Sequence, residues 1–135
     1  MADPDVIADE EIILRRIPPG NYWQAPAPRI ASTNFELRPH ETGVSVSRNR
    51  FTSPEKLLSL APAARIGEDW RVAQAVVRDV RAMGFDVIPD PISDDTGHAL
   101  LISAKSLLTE HSARKRLAKA FRLLPEIDAT DIPTT

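Results

Sequence analysis

Short segments of the chain show the two-residue periodicity of β-strands. Residues 11–17 are rich in β-branched side chains and end at a Pro-Pro-Gly sequence, which predicts the first strand. Residues 85–88 and 98–102 have the same character and predict two more strands, separated by a polar turn. Two short alternations, at 34–37 and 44–48, flank a turn and predict a hairpin.

Helical spacing of apolar residues predicts helices between and after these strands. The first begins at Pro54, is capped by Ser53 and ends near Pro62. The last has one apolar stripe from residue 104 to 124 and ends before Pro125.

The segment 68–83 has two interpretations. Its apolar residues recur at spacings of three and four, and Gly84 follows in the place of a left-handed cap, which predicts one helix. The alternative is a strand over 71–77 followed by a helix over 78–83, because valine favours β structure.

Together these elements predict an α+β fold. We expect a small mixed sheet of four or five short strands with two or three helices, and the C-terminal helix packed on the sheet. The predicted organisation is a flexible acidic N-terminus over 1–9, a single domain over 10–125 and a flexible tail over 126–135.

Composition limits the class of protein. With 135 residues, 42% hydrophobic and 27% charged, the chain has the size and balance of one folded domain. It has no cysteine, which excludes disulfides, thiolate nucleophiles and cysteine-based metal sites. No apolar run is long enough to cross a bilayer, and the acidic N-terminus differs from a signal peptide. We therefore expect a cytoplasmic protein without membrane association.

Charge is distributed unevenly along the chain. The net charge of −2 is too small to steer the whole molecule toward nucleic acid. Acidic residues are concentrated before residue 12, whereas the last predicted helix is basic. Its basic residues are Arg114, Lys115, Arg116, Lys119 and Arg122. They predict either a surface for a nucleic-acid backbone or a solvated helix face.

A group of basic and hydroxyl residues surrounds the Gly43 turn. Arg38 and Arg48 flank Ser45 and Ser47, and guanidinium and hydroxyl groups together can bind a phosphate or a carboxylate. The alternative is a half-exposed strand whose two serines share its solvent face.

His98 is the candidate catalytic residue. It follows the polar turn at 93–97 and opens a strand, so we expect a carboxylate neighbour that orients the ring for general acid–base work. The alternative is a ring that hydrogen-bonds a loop carbonyl. His40, His98 and His111 lie too far apart in sequence to present paired metal ligands, so no metal and no cofactor is expected.

Tyr22 and Trp23 lie within a proline-bearing loop. Large aromatic side chains often dominate the binding energy of interfaces, which predicts a docking surface here. The alternative is a lid that packs both rings onto the core.

Several segments together resemble a pattern in small bacterial proteins that have no assigned function. They are 14–18, 41–47 with Ser53-Pro54, 79–84, and Asp90-Pro91 ahead of His98-Ala99-Leu100. The resemblance covers residues 14 to 124 and carries over no catalytic residue.

The arginine-bearing first strand and the strand 43–47 also resemble ADP-ribosyltransferase-like domains. In that family an early Arg or His and a hydroxyl-bearing strand hold NAD. The late strand with a catalytic glutamate has no counterpart here, because the acids after residue 100 lie outside the predicted strands. They are Glu110, Glu126, Asp128 and Asp131.

These observations favour a small non-enzymatic module, an accessory protein of a bacterial cytoplasmic system that binds a partner protein. The alternative is an enzyme that binds a nucleotide or nucleic-acid phosphate, either ADP-ribosyltransferase-like or a metal-independent ribonuclease. In that case Arg38, Ser45, Ser47 and Arg48 hold the phosphate and His98 supplies a proton.

Overall fold

Six of the strands pair into one antiparallel sheet, and two short strands form a separate hairpin. The structure, a computed structural model, describes residues 6–18, 20–23, 29–37, 41–59, 70–103 and 110–124. In chain order the elements are β1 (Ile12–Ile17), β2 (Tyr22–Trp23), β3 (Arg29–Ile30), a 3-10 helix (Ser32–Phe35), β4 (Val44–Arg48), α1 (Pro54–Ser59), β5 (Arg71–Val76), α2 (Val77–Ala82), β6 (Phe85–Pro89), β7 (His98–Ser103), α3 (His111–Ala120) and β8 (Arg122–Leu123).

The sheet has the order β6-β7-β4-β1-β5-β8. β1 pairs along its whole length with β5. In the described part of the sheet, β1 pairs with β4 only at Ile13–Arg48 and Leu14–Ser47, and the two strands separate beyond that point. The α+β class and the C-terminal helix on the sheet are confirmed, with six strands where four or five were expected.

The two faces of the sheet bury different residues, because side chains alternate along each strand. The first face includes Ile13 and Val46 and packs under α2, α3 and the 3-10 helix. There, the rings of Phe35 and Phe121 lie 5.0 Å apart between centroids. The second face includes Leu14 and is partly covered by α1 through Leu57.

Several sequence-based predictions are confirmed. The strands expected at 11–17, 85–88 and 98–102 form β1, β6 and β7. The N–H of Lys56 donates to the Ser53 hydroxyl at 3.2 Å, so Ser53 caps α1 as expected. Gly84 follows α2 with a φ of 96°, a left-handed conformation that favours glycine. The predicted end of α1 near Pro62 lies outside the described residues.

The predicted hairpin at 34–48 is wrong. Residues Ser32–Phe35 form the 3-10 helix, and β4 pairs with β1 and β7. The buried Asn34 amide donates to the carbonyls of Asn21 and Ala31, at 3.0 and 2.9 Å. Such side-chain bonds to the backbone favour turns over strands.

The alternative interpretation of the segment 68–83 is confirmed, and the single helix is wrong. The chain is extended from Arg71 to Val76, where it pairs with β1 on one side and β8 on the other. Burial between two strands therefore decides the conformation of an apolar segment that is also compatible with a helix.

The predicted helix from 104 to 124 is too long. α3 ends at Ala120, and Phe121 is extended with φ −91° and ψ 132°. Arg122 and Leu123 then pair with β5, so Arg122 lies on a strand. Residues 104–109 lie outside the described part of the chain.

The packed chain begins before residue 10, where the predicted domain starts. Ile7 is buried in the core with 4% of its surface exposed. Asp9 forms an ion pair with Arg81 of α2 at 2.6 Å. Among the residues that the structure describes, no helix combines the length and the apolar character needed to span a membrane.

Candidate functional site

A groove lies between the β2–β3 hairpin and α3, and we call it the hairpin groove. It encloses about 610 Å³. Its floor is apolar and consists of buried residues, Ile30, Ala118 and Phe121. Trp23, Arg29, Lys115 and Lys119 line its sides.

The two aromatic residues of the hairpin have different surroundings. Trp23 is 46% exposed, and the guanidinium of Arg29 lies over its ring at 4.7 Å from the centroid. Tyr22 is half-buried against the core, and the guanidinium of Arg71 lies over its ring at 5.3 Å. The lid interpretation therefore fits Tyr22, and the exposed position required of an interface residue is found at Trp23.

The five basic residues of the C-terminal segment do not share one surface. Lys115 and Lys119 are one helical turn apart and border the hairpin groove. Arg116 is exposed outside the groove, whereas Arg114 is half-buried. Arg122 is paired with Gln74 and lies on the second face of the sheet, away from α3. The expectation of one continuous basic face is corrected, because the helix ends before Arg122.

A cavity of about 840 Å³ opens where β1 and β4 separate, and we call it the sheet cavity. Arg16, Ser45, Ser47, Asp95 and His98 all line it. The cavity therefore brings together the predicted serines and the predicted histidine. The register supports this, because Ser47 and His98 are directly opposite on neighbouring strands.

The two serines of β4 have different roles in the structure. The Ser47 hydroxyl is buried and donates to Asp95 Oδ2 at 2.5 Å. The Gly97 N–H donates to Asp95 Oδ1 at 3.0 Å, so both carboxylate oxygens of Asp95 have donors. Ser45 is exposed at the cavity and is the serine accessible to a ligand.

His98 has a carboxylate neighbour, but it is Asp90 and not an aspartate of the turn at 93–97, and the ring also contacts a loop carbonyl, as the alternative interpretation expects. Its Nδ1 lies 2.9 Å from the carbonyl oxygen of Asp90 and 3.1 Å from Asp90 Oδ2. Both neighbours are acceptors, so Nδ1 carries the proton and Nε2 of a neutral ring is an acceptor. Within the described residues, Nε2 has no hydrogen-bond partner. A catalytic role for His98 stays a prediction.

Arg48 does not join Ser45, Ser47 and His98, which corrects the predicted ligand-binding group. Strand alternation places its side chain on the first face, where Nε and Nη2 donate to Glu11 at 2.8 and 2.7 Å. Only 3% of the Arg48 side chain is exposed. The other predicted arginine, Arg38, lies outside the described residues.

The Glu11–Arg48 ion pair changes the titration of its carboxylate. Burial raises the pKa of Glu11. The hydrogen bonds from Arg48 and the Ala8 N–H, together with the charges of Arg48 and Arg50, lower it by more than burial raises it. The net effect is a pKa below its ordinary value of 4.5. The pair therefore ties the chain before β1 to β4 and has a structural role.

Arg16 is the cavity residue that sequence reasoning missed. Its guanidinium Nη1 is buried without a hydrogen-bond partner among the described residues. Burial lowers the pKa of Arg16, against the opposing attraction of the Asp95 carboxylate. The sequence does contain one signal for it. Arg16 is a charged residue in an apolar strand, and strand alternation places it on the same face as Leu14.

Metal ligands are not clustered in the described part of the chain. There, no group of three or more His, Asp or Glu side chains is placed to hold an ion. His40 lies outside the described residues.

Comparison with protein-family models, curated proteins and solved structures finds no match to this chain. The resemblances to small bacterial proteins and to ADP-ribosyltransferase-like domains therefore stay hypotheses.

Proposed function

We propose that this protein is a small binding module that docks an acidic segment of a partner protein in the hairpin groove. The observation that carries the proposal is the position of Trp23, an exposed aromatic ring that lines the same groove as Lys115 and Lys119. Tryptophan is one of the residue types that are enriched at the energetic centres of interfaces.

The groove has the two parts that recognition of a short segment requires. The buried side chains of Ile30, Ala118 and Phe121 form a floor that can cover an apolar anchor residue. The ammonium groups of Lys115 and Lys119 attract carboxylates on either side of that anchor. A segment with acidic residues around an apolar centre is complementary to both.

A protein segment fits better than single-stranded nucleic acid. Nucleic-acid grooves usually present successive aromatic rings on which bases stack. In the described residues, Trp23 is the only exposed large aromatic side chain.

Two further observations support a cellular location and an origin for this module. The absence of cysteine supports a reducing cytoplasm. The resemblance to small bacterial proteins supports a bacterial origin.

Fluorescence anisotropy tests the proposal with a short labelled peptide in which glutamates flank a central leucine pair. We expect binding that weakens about 10-fold or more in the double variant Lys115→Glu, Lys119→Glu, because charge reversal converts attraction into repulsion. An all-glutamate peptide of the same length should bind more weakly, because it has no apolar anchor.

The matched control is the double variant Arg116→Glu, Arg122→Glu. It makes the same charge change at exposed residues outside the groove, and its affinity should change less than about 2-fold at physiological salt. Equal losses in the two double variants, or tighter binding of labelled oligothymidylate than of the peptide, contradict the proposal.

A further inference from the structure

We propose that the sheet cavity binds a small anion that carries hydroxyl groups, with its phosphate or carboxylate on Arg16. This site is separate from the hairpin groove, although Thr33 borders both. It goes beyond the proposed function, because it requires no partner protein.

The first argument is the state of Arg16. Among the described residues, the Arg16 side chain has neither a hydrogen bond nor an ion pair, and its Nη1 is buried. A buried donor without a partner has a free-energy cost that a ligand acceptor removes. Arg48, by contrast, is paired with the Glu11 carboxylate and also donates to the Val6 carbonyl.

Asp95 is not the missing hydrogen-bond partner of Arg16. Its carboxylate is near enough to attract Arg16, yet the described structure contains no ion pair between them. Both Asp95 oxygens already accept hydrogen bonds, from Ser47 and Gly97. Because it has no ion-pair partner among the described residues, half-buried Arg16 remains able to form paired hydrogen bonds with an external phosphate or carboxylate in the cavity.

The second argument is the set of polar groups around Arg16. Glu36, Glu41 and Asp94 are exposed carboxylates at the cavity, and Nε2 of His98 is an acceptor in the neutral ring. These groups accept hydrogen bonds from ligand hydroxyls, whereas they repel additional negative charge. The cavity therefore favours one anionic group with several hydroxyls over a polyanion.

The size of the cavity agrees with such a ligand. Small-molecule sites enclose roughly 300–1,000 Å³, and the sheet cavity encloses about 840 Å³. Inorganic phosphate alone leaves most of that space unfilled. Ribose 5-phosphate and gluconate are suitable probes, because they carry the same kind of hydroxyls on a phosphate and on a carboxylate.

Isothermal titration calorimetry with these two probes tests the proposal. We expect at least one of them to bind, inorganic phosphate to bind about 10-fold more weakly, and ribose to give no signal. Binding of ribose 5-phosphate alone identifies a phosphate site, and binding of gluconate alone identifies a carboxylate site. No binding of either probe overturns the proposal.

Variants of Arg16 connect the binding to the residue. Arg16→Met should lower the affinity about 10- to 100-fold, and Arg16→Lys should lower it less, because an ammonium cannot make paired bonds. Arg122→Met, an exposed residue of the same face outside the cavity, should bind like the wild type. The hairpin-groove variant Lys115→Glu, Lys119→Glu should also retain probe binding, which separates the two proposals. Unchanged affinity in both Arg16 variants overturns the assignment.

Discussion

Arg29 lies over the ring of Trp23, with its guanidinium carbon 4.7 Å from the ring centroid. The two residues are directly opposite in the β2–β3 hairpin. A cation over an aromatic face at an exposed site contributes about 0.5–1 kcal/mol, so this contact holds the indole beside the groove. The exposed aromatic ring is thus oriented before any partner binds, which lowers the entropic cost of docking.

Alanine substitutions at Tyr22 and Trp23 should distinguish the ring that packs against the core from the ring that is exposed. Tyr22→Ala should lower the free energy of unfolding by about 2 kcal/mol, because the half-buried ring packs against the core. Trp23→Ala should lower it by less than about 1 kcal/mol, because nearly half of Trp23 is exposed. Urea denaturation measures both values, and a loss at Trp23 as large as at Tyr22 contradicts the assignment of Trp23 to an interface.

Removing the charge of Glu11 should be strongly destabilising. Glu11→Gln leaves the guanidinium of Arg48 buried without its carboxylate, which costs about 3 kcal/mol. Glu10→Gln is the matched control, since its ion pair with Arg78 is exposed and contributes less than about 1 kcal/mol. Equal effects on the urea midpoint in the two variants contradict the structural role of the Glu11–Arg48 pair.

The same carboxylate gives stability a defined dependence on acid. The folded-state pKa of Glu11 lies below its ordinary value of 4.5, so the unfolded chain takes up the proton first as the pH falls. The contribution of Glu11 is therefore complete above pH 4.5 and is lost as the pH falls through the folded-state pKa. Wild type should lose more stability below pH 4.5 than Glu11→Gln, which has no proton to bind at this position. Parallel stability curves for the two proteins contradict the lowered pKa.

Gly97 should not tolerate a side chain. A Cβ atom at this position meets the Phe51 Cβ at 2.8 Å and the Arg48 carbonyl oxygen at 3.1 Å. Because both neighbours are part of the packed chain, Gly97→Ala should cost about 1–3 kcal/mol. Gly20→Ala tests backbone strain instead of packing, since a side chain at Gly20 meets open space but the φ of 87° is unfavourable for alanine. Thermal denaturation of both variants measures the cost, and an unchanged midpoint in Gly97→Ala contradicts the close packing around Asp95 and His98.

Local sequence patterns predict the elements whose residues have one dominant preference. β1 follows from its β-branched run, and α1 follows from Ser53 and Pro54 at its start. The segment from Arg71 to Ala82 is ambiguous in sequence, because its valines satisfy both periodicities and only pairing with β1 and β8 decides between them. The alternation at 34–37 is too short to exclude the 3-10 helix that the Asn34 amide stabilises.

Candidate sites depend on contacts between distant parts of the chain, which a single sequence does not contain. The sequence predicts that Ser45 and Ser47 share a face, because strand alternation alone requires it. The sequence does not reveal that Trp23 lies at the same groove as Lys115 and Lys119. It also does not reveal that Arg48 turns to Glu11 while Arg16 lines the cavity with His98. The first depends on the packing of the β2–β3 hairpin near α3, and the second depends on which distant residues meet each face of the sheet.

Nuclear magnetic resonance of the nitrogen-15-labelled protein, titrated with the glutamate-flanked leucine peptide, tests the docking proposal most directly. The account predicts that the largest shifts occur at the Trp23 indole, at the amides from Ile30 to Thr33 and from Lys115 to Phe121. Resonances of His98 and of β1 should change little, because they lie away from the groove floor. Shifts centred on the sheet cavity, or no shifts at peptide concentrations that saturate the anisotropy signal, contradict the central claim.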